Sequence, residues 1–143
     1  MYKLREPQTI TYNKIKQAII NKNKRILVMA CTGFGKTILS YEIIKNANLK
    51  NNSVLFTSHR IALAEQTKGK FKDIDVDYLQ GENNDFNPDY KCLIATLQTL
   101  NNTEIKEPKI IIIDEVHYAY ESGLIQNLFI RFPNSLFIGL SAT

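Results

Sequence analysis

The stretch Ile26-Leu27-Val28-Met29-Ala30-Cys31-Thr32-Gly33-Phe34-Gly35-Lys36-Thr37 passes from an apolar run, through a glycine turn, into a helical pattern. Residues 26–30 read as a strand. Leu39, Ile43 and Ala47, spaced i, i+4 and i+8, put one apolar stripe on the helix that follows. The polar run 48–52 closes that helix, and the same alternation continues on both sides. Upstream, Tyr12, Ile15 and Ile19 mark a helix over 11–21. Downstream, strands at 54–57, 76–80, 92–95, 110–113 and 136–140 alternate with helical segments. Those segments are 60–71, a short turn through Leu97 and Leu100, and one helix through Leu124 and Leu128. Residues 110–113 are consecutive isoleucines, as expected of a strand buried on both sides. Strand and helix in regular alternation predict an α/β fold with a mainly parallel sheet and helices on both faces.

Composition sets the bounds on this reading. A length of 143 residues fits a single domain over 1–143, and a chain of this size buries roughly 68–70 % of its unfolded surface. Hydrophobic residues at 44 % and charged residues at 22 % exclude a disordered or collagen-like chain. Eighteen Lys and Arg against fourteen Asp and Glu give +4, which suits a polyanionic partner and equally a solvated, Lys-rich surface. Cys31 and Cys92 cannot build a disulfide framework and lack metal-site spacing, so a reduced, cytoplasmic setting is expected. No apolar stretch nears the roughly 20 residues that span a bilayer. Residues 1–7 carry charges with no apolar signal region behind them, so a soluble protein without a membrane partner is expected.

The glycine turn carries the first chemistry. Thr32, Gly33, Phe34 and Gly35 form a loop between strand and helix, where glycines allow a tight turn with N–H groups pointing at phosphate oxygens. The helix starting near Lys36 adds its positive N-terminal end. Lys36 can reach β- and γ-phosphates, and the Thr37 hydroxyl can ligate Mg²⁺. The general pattern has Gly where this chain has Ala30, so the match to a Walker A loop is incomplete. A glycine turn that merely precedes Lys-Thr is the plainer alternative.

The second chemistry lies in Ile110-Ile111-Ile112-Ile113-Asp114-Glu115-Val116-His117. It sets two carboxylates at the C-terminal end of a buried strand, where open α/β sheets bind ligands. Asp114 can hold Mg²⁺, and Glu115 can polarise the water that attacks a γ-phosphate. An Asp-Glu helix cap would also suit the position, but it leaves the isoleucine run and the histidine unexplained. His117, three residues after Asp114, turns toward the same sheet edge and reads as a coupling residue.

Taken in order, Ala-x-x-Gly-x-Gly-Lys-Thr, Asp-Glu-Val-His and Ser141-Ala142-Thr143 resemble motifs I, II and III of superfamily 2 helicases. The DExH branch is nearest, especially the translocases related to the type III restriction endonuclease helicase subunit. The resemblance covers 4–143 and implies a RecA-like P-loop NTPase domain that binds ATP with Mg²⁺. It further implies that Leu4-Arg5-Glu6-Pro7-Gln8 is the adenine segment, with Gln8 as the base contact and Arg5 supporting the loop. Pro7 stands where the family has an aromatic residue. Residues 56–66 look like motif Ia, and 94–100 like the segment that touches the nucleic-acid backbone. Thr57, Arg60, Thr96 and Gln98 are the nucleic-acid candidates, since small hydroxyls and N–H groups at strand–helix junctions suit phosphate oxygens. Thr57 and Thr96 as ordinary helix caps are the alternative.

The expectation is then the first RecA-like half of a nucleic-acid-dependent ATPase acting on DNA or RNA. Lys36, Thr37, Asp114 and Glu115 would handle Mg·ATP, and Ser141 with Thr143 would relay nucleotide state. A second RecA-like domain is not expected within the chain. A different P-loop NTPase and a binding module without turnover are the rivals. Ser-Ala-Thr after the last strand, and Gln8 ahead of the loop, favour the helicase reading over the first of them.

Overall fold

The computed structural model describes residues 3–30, 34–59, 71, 73–79 and 86–142. Six strands form one sheet: β1 (Arg25–Met29), β2 (Val54–Ser58), β3 (Val76–Leu79), β4 (Cys92–Thr96), β5 (Ile110–Asp114) and β6 (Leu136–Ser141). Their order is β1-β6-β5-β2-β4-β3, and every pairing is parallel. The described helices are α1 (Glu6–Ile20), α2 (Lys36–Leu49), α3 (Leu97–Asn101), α4 (Val116–Glu121) and α5 (Leu124–Arg131). The helix expected over 60–71 lies outside the described residues, apart from Phe71.

The isoleucine run shows how the two faces are filled. Successive strand side chains point to opposite faces. Ile110 and Ile112 join a core with Ile15 of α1 and Leu39, Ile43 and Ile44 of α2. Ile111 and Ile113 join a second core with Val116 of α4 and Ile125 and Leu128 of α5. A strand flanked by helices on both sides has no solvent face, which is why its sequence shows no polar alternation. Cys92 is fully buried at the start of β4, and burial pushes its thiol up to about 12.

Two helical expectations are corrected. α1 starts at Glu6 and not at Thr11. Pro7 is tolerated there because the first-turn N–H groups have no intrahelical partner to lose. The Gln8 side-chain oxygen, three residues on, accepts the Arg5 N–H at 2.8 Å and closes the turn. Between β5 and β6 the chain forms two helices where one was expected, because Gly123 adopts φ +77 and ends the helical path. No helix among the described residues is long and apolar enough to cross a membrane.

Candidate active site

Parallel pairing brings the C-terminal ends of the strands to one edge, and the register fixes which residues meet there. Met29 is level with Ser141, Asp114 with Leu140, and Thr57 with both Ile113 and Ala95. Continuing that alignment sets Ser58 beside Asp114 and His59 beside Glu115. The exit of β1 is clipped to the exit of β6, where Ala30 N–H donates to the Ser141 carbonyl at 2.9 Å.

Gly35 opens α2 with φ +85 and ψ 48, a left-handed conformation that costs a residue with a side chain strain. Lys36 and Thr37 follow as the first helical residues, half-buried, where the N-terminal N–H groups are unpaired within the helix. Thr32 and Gly33 lie outside the described residues. Phe34 and Gly35 are gripped from α1. The Gln8 Nε2 donates to the carbonyls of Phe34 at 2.7 Å and Gly35 at 3.4 Å. The Arg5 guanidinium donates to the same Phe34 carbonyl at 2.8 Å. Gln8 is 1 % exposed, and its Oε1 accepts the Arg5 N–H at 2.8 Å. In this conformation the Gln8 and Arg5 side chains both brace the Phe34–Gly35 turn.

Across the edge, burial pushes the Asp114 carboxyl up from the usual carboxylate range, while the positive charge of Lys36 pulls it back. The loop lysine and the strand-end aspartate therefore share one electrostatic site. Asp114 Oδ1 accepts the Glu115 N–H at 3.0 Å. Glu115 is the residue before α4 and has φ 50, ψ 51. A left-handed glutamate costs of the order of 1–3 kcal/mol, and such strain concentrates at functional sites. Asp-Glu does not act as a side-chain cap here, since Glu115 makes no cap hydrogen bond. His117 Nδ1 lies 3.3 Å from Ser141 Oγ, so the histidine after the acidic pair and the serine after β6 are in contact.

The nucleic-acid candidates separate. Thr57 has no exposed surface, so a direct contact through its hydroxyl is excluded in this conformation. It is a strand residue and not a helix cap. Thr96 is also buried and is the N-cap of α3, accepting from Thr99 N–H at 3.2 Å and reaching Thr99 Oγ1 at 2.8 Å. Its hydroxyl is committed to the helix start. Gln98 is exposed on α3. Arg60 and Thr143 lie outside the described residues.

His59 and Tyr118 are neighbours of the site that sequence reasoning missed. The His59 ring stacks on Tyr118 at 3.8 Å and 30°, and its Nδ1 stands 3.6 Å from Glu115 Oε2. The signal was available only through register, because β2 and β5 must be aligned before residues 59 and 115 are seen to meet.

The chain and its fold have relatives among known proteins. The family model described as the type III restriction enzyme, res subunit, matches residues 1–143. The DExH-box ATP-dependent RNA helicase DExH9 of Arabidopsis thaliana is 31 % identical over 136 residues, covering 87 % of this chain and 14 % of that protein. The type I restriction enzyme EcoAI endonuclease subunit of Escherichia coli is 28 % identical over 148 residues, covering 92 % and 18 %. Among solved structures, the Sulfolobus solfataricus SWI2/SNF2 ATPase core in complex with dsDNA superposes with a TM-score of 0.78 at 19 % identity, covering 99 % of this chain and 32 % of that one. The fold is that of RecA-like helicase cores. The chain spans less than a fifth of the length of either curated relative.

Proposed function

The chain belongs to the type III restriction enzyme res-subunit family, and on that premise we propose that it is the ATP-binding, first RecA-like half of a nucleic-acid-dependent helicase or translocase. The observation that carries this reading is the meeting of Lys36, Asp114 and Glu115 at one sheet edge, with Lys36 acting electrostatically on Asp114. A buried carboxyl only partly offset by a lysine is a site that a further cation stabilises. Its hard oxygen, together with the Thr37 hydroxyl, suits Mg²⁺. When bound, Mg²⁺ neutralises charge on the β- and γ-phosphates.

The chain's own groups divide the remaining work. N–H groups at the start of α2 cradle phosphate oxygens, and the Lys36 ammonium holds the β–γ end. Thr37 and Asp114 would hold the metal. Glu115 orients the attacking water and takes its proton. His117 and Ser141 link the acidic pair to the exit of β6, a path by which nucleotide state can reach the nucleic-acid grip. Gln98, Arg60 and the N–H groups at the exits of β2 and β4 would contact a DNA or RNA backbone. The buried Thr57 and Thr96 support those exits from within.

A second RecA-like domain would complete the motor, and the cytoplasm is the compartment that this reading implies. Domain limits of 1–143 belong to the same proposal. The test is ATP hydrolysis by the whole protein, with and without single- or double-stranded DNA or RNA. Stimulation by one of these supports the reading. Hydrolysis that none of them alters points instead to a P-loop ATPase of another kind.

A further inference from the structure

We infer that His59 is a positioning residue for Glu115, holding one carboxylate oxygen so that the other faces the attacking water. The inference rests on the proposed role of Glu115 as the proton acceptor, and it adds a residue that the motif pattern does not assign.

The geometry makes a closed circuit. Glu115 precedes α4, and its carbonyl accepts the Tyr118 N–H at 3.1 Å. The Tyr118 ring stacks against His59 at 3.8 Å. His59 Nδ1 returns to Glu115 Oε2 at 3.6 Å. The left-handed backbone of Glu115 fixes where its side chain leaves the chain, but three side-chain torsions still separate the carboxylate from the backbone. A general base must sit within hydrogen-bond reach of the proton that it takes, so those torsions need restraint. His59 supplies restraint at the far end, and Tyr118 restrains His59 in turn. His59 and Glu115 are 22 % and 23 % exposed, so the pair is partly screened from solvent.

A purely architectural His59 would give the same picture, joining the exit of β2 to α4 through ring stacking alone. The two roles separate by substitution. His59→Phe keeps a ring on Tyr118 and removes the nitrogen. His59→Asn keeps a donor near the Nδ1 position and removes the ring. Positioning predicts that His59→Phe lowers kcat about 100-fold, the scale expected for displacement of a reacting group by about 1 Å. It leaves KM for ATP and ADP affinity unchanged, and His59→Asn restores most of kcat.

The experiment is steady-state and single-turnover hydrolysis by the whole protein carrying His59→Phe, His59→Asn, Glu115→Gln and His59→Phe with Glu115→Gln. If His59 acts through Glu115, His59→Phe takes nothing further from the residual rate of Glu115→Gln. Should His59→Phe fail to fold, His59→Ala replaces it in the same comparison. A parental kcat in His59→Phe, a change in KM alone, or a loss that multiplies with Glu115→Gln overturns the inference. Parental hydrolysis by Glu115→Gln overturns the role of Glu115 itself, and so the two failures are told apart.

Discussion

The Gln8 amide nitrogen lies 2.7 Å from the Phe34 carbonyl, tying the first turn of α1 to the loop that opens α2. A Cβ added at Gly35 would stand 2.2 Å from that same nitrogen. The left-handed turn and the buried amide are therefore built around each other. Gly35→Ala should lower both thermal stability and nucleotide affinity, with left-handed strain alone costing about 1–2 kcal/mol. Gln8→Ala should cost about 0.5–1.5 kcal/mol for each hydrogen bond lost. Because the two changes share one contact, the double variant should be less damaged than the sum of the singles. Additive melting-temperature shifts would refute the coupling.

Lys36→Ala should abolish most ADP and ATP affinity on a folded protein. It removes the positive charge over the phosphates and leaves Gly35 and its brace intact. Calorimetric titration decides this, and unchanged affinity would remove Lys36 from the site.

The acidic pair should divide its roles. Glu115→Gln keeps Mg·ATP binding and loses hydrolysis, because an amide cannot take the water's proton. Asp114→Asn weakens the Mg²⁺ dependence and also stabilises the nucleotide-free protein at neutral pH. Burial raises the Asp114 carboxyl above its unfolded value, with Lys36 and the Glu115 N–H opposing, the Glu115 charge adding to the rise and His59 opposing. Its contribution to stability is present below the unfolded pKa and is lost as pH rises through the folded one. In Mg²⁺-free buffer the melting temperature of Asp114→Asn should exceed the parental one at neutral pH, and the gain should vanish in acid. A gain that persists in acid would show that charge burial is not its source.

Much of this was legible in the sequence, and the exceptions have physical causes. Runs such as 110–113 declare buried parallel strands because both faces are apolar, and Gly35-Lys36-Thr37 declares its turn through residue type. The start of α1 was hidden because Pro7 usually reads as a breaker, while a first-turn position, with the Arg5 N–H bonded to Gln8 Oε1, makes it harmless. The burial of Gln8 and Thr57 was not legible, because a polar side chain gives no local sign that its neighbours will enclose it. The meeting of His59 with Glu115 depends on inter-strand register, which no local pattern encodes.

Nucleic-acid binding should be salt-sensitive and nearly indifferent to sequence. On the proposed reading the contacts, through Gln98 and the N–H groups at the strand exits, are to phosphates and not base edges. Binding isotherms on DNA and RNA over a range of salt concentrations measure this. Affinity independent of ionic strength, or a strong preference for one sequence, would count against phosphate contacts.

This chain by itself should be a very poor ATPase. Charge developing on the γ-phosphate calls for a positively charged finger, worth roughly 10³–10⁵ in rate in P-loop enzymes. The sequence has four arginines, and three fall on described residues with other engagements. The Arg5 guanidinium donates to the Phe34 carbonyl. Arg25 lies over the Phe129 ring at 3.7 Å. The Arg131 guanidinium donates to the carbonyls of Leu100 and Thr103. Arg60 follows β2 in the segment read as a nucleic-acid contact. With the three described arginines engaged elsewhere, the proposed reading takes the finger from a second domain. Steady-state hydrolysis by residues 1–143 should therefore fall orders of magnitude below that of the whole protein, both saturated with nucleic acid. Equal turnover would mean that the chain supplies its own finger, and the half-motor reading would then fail.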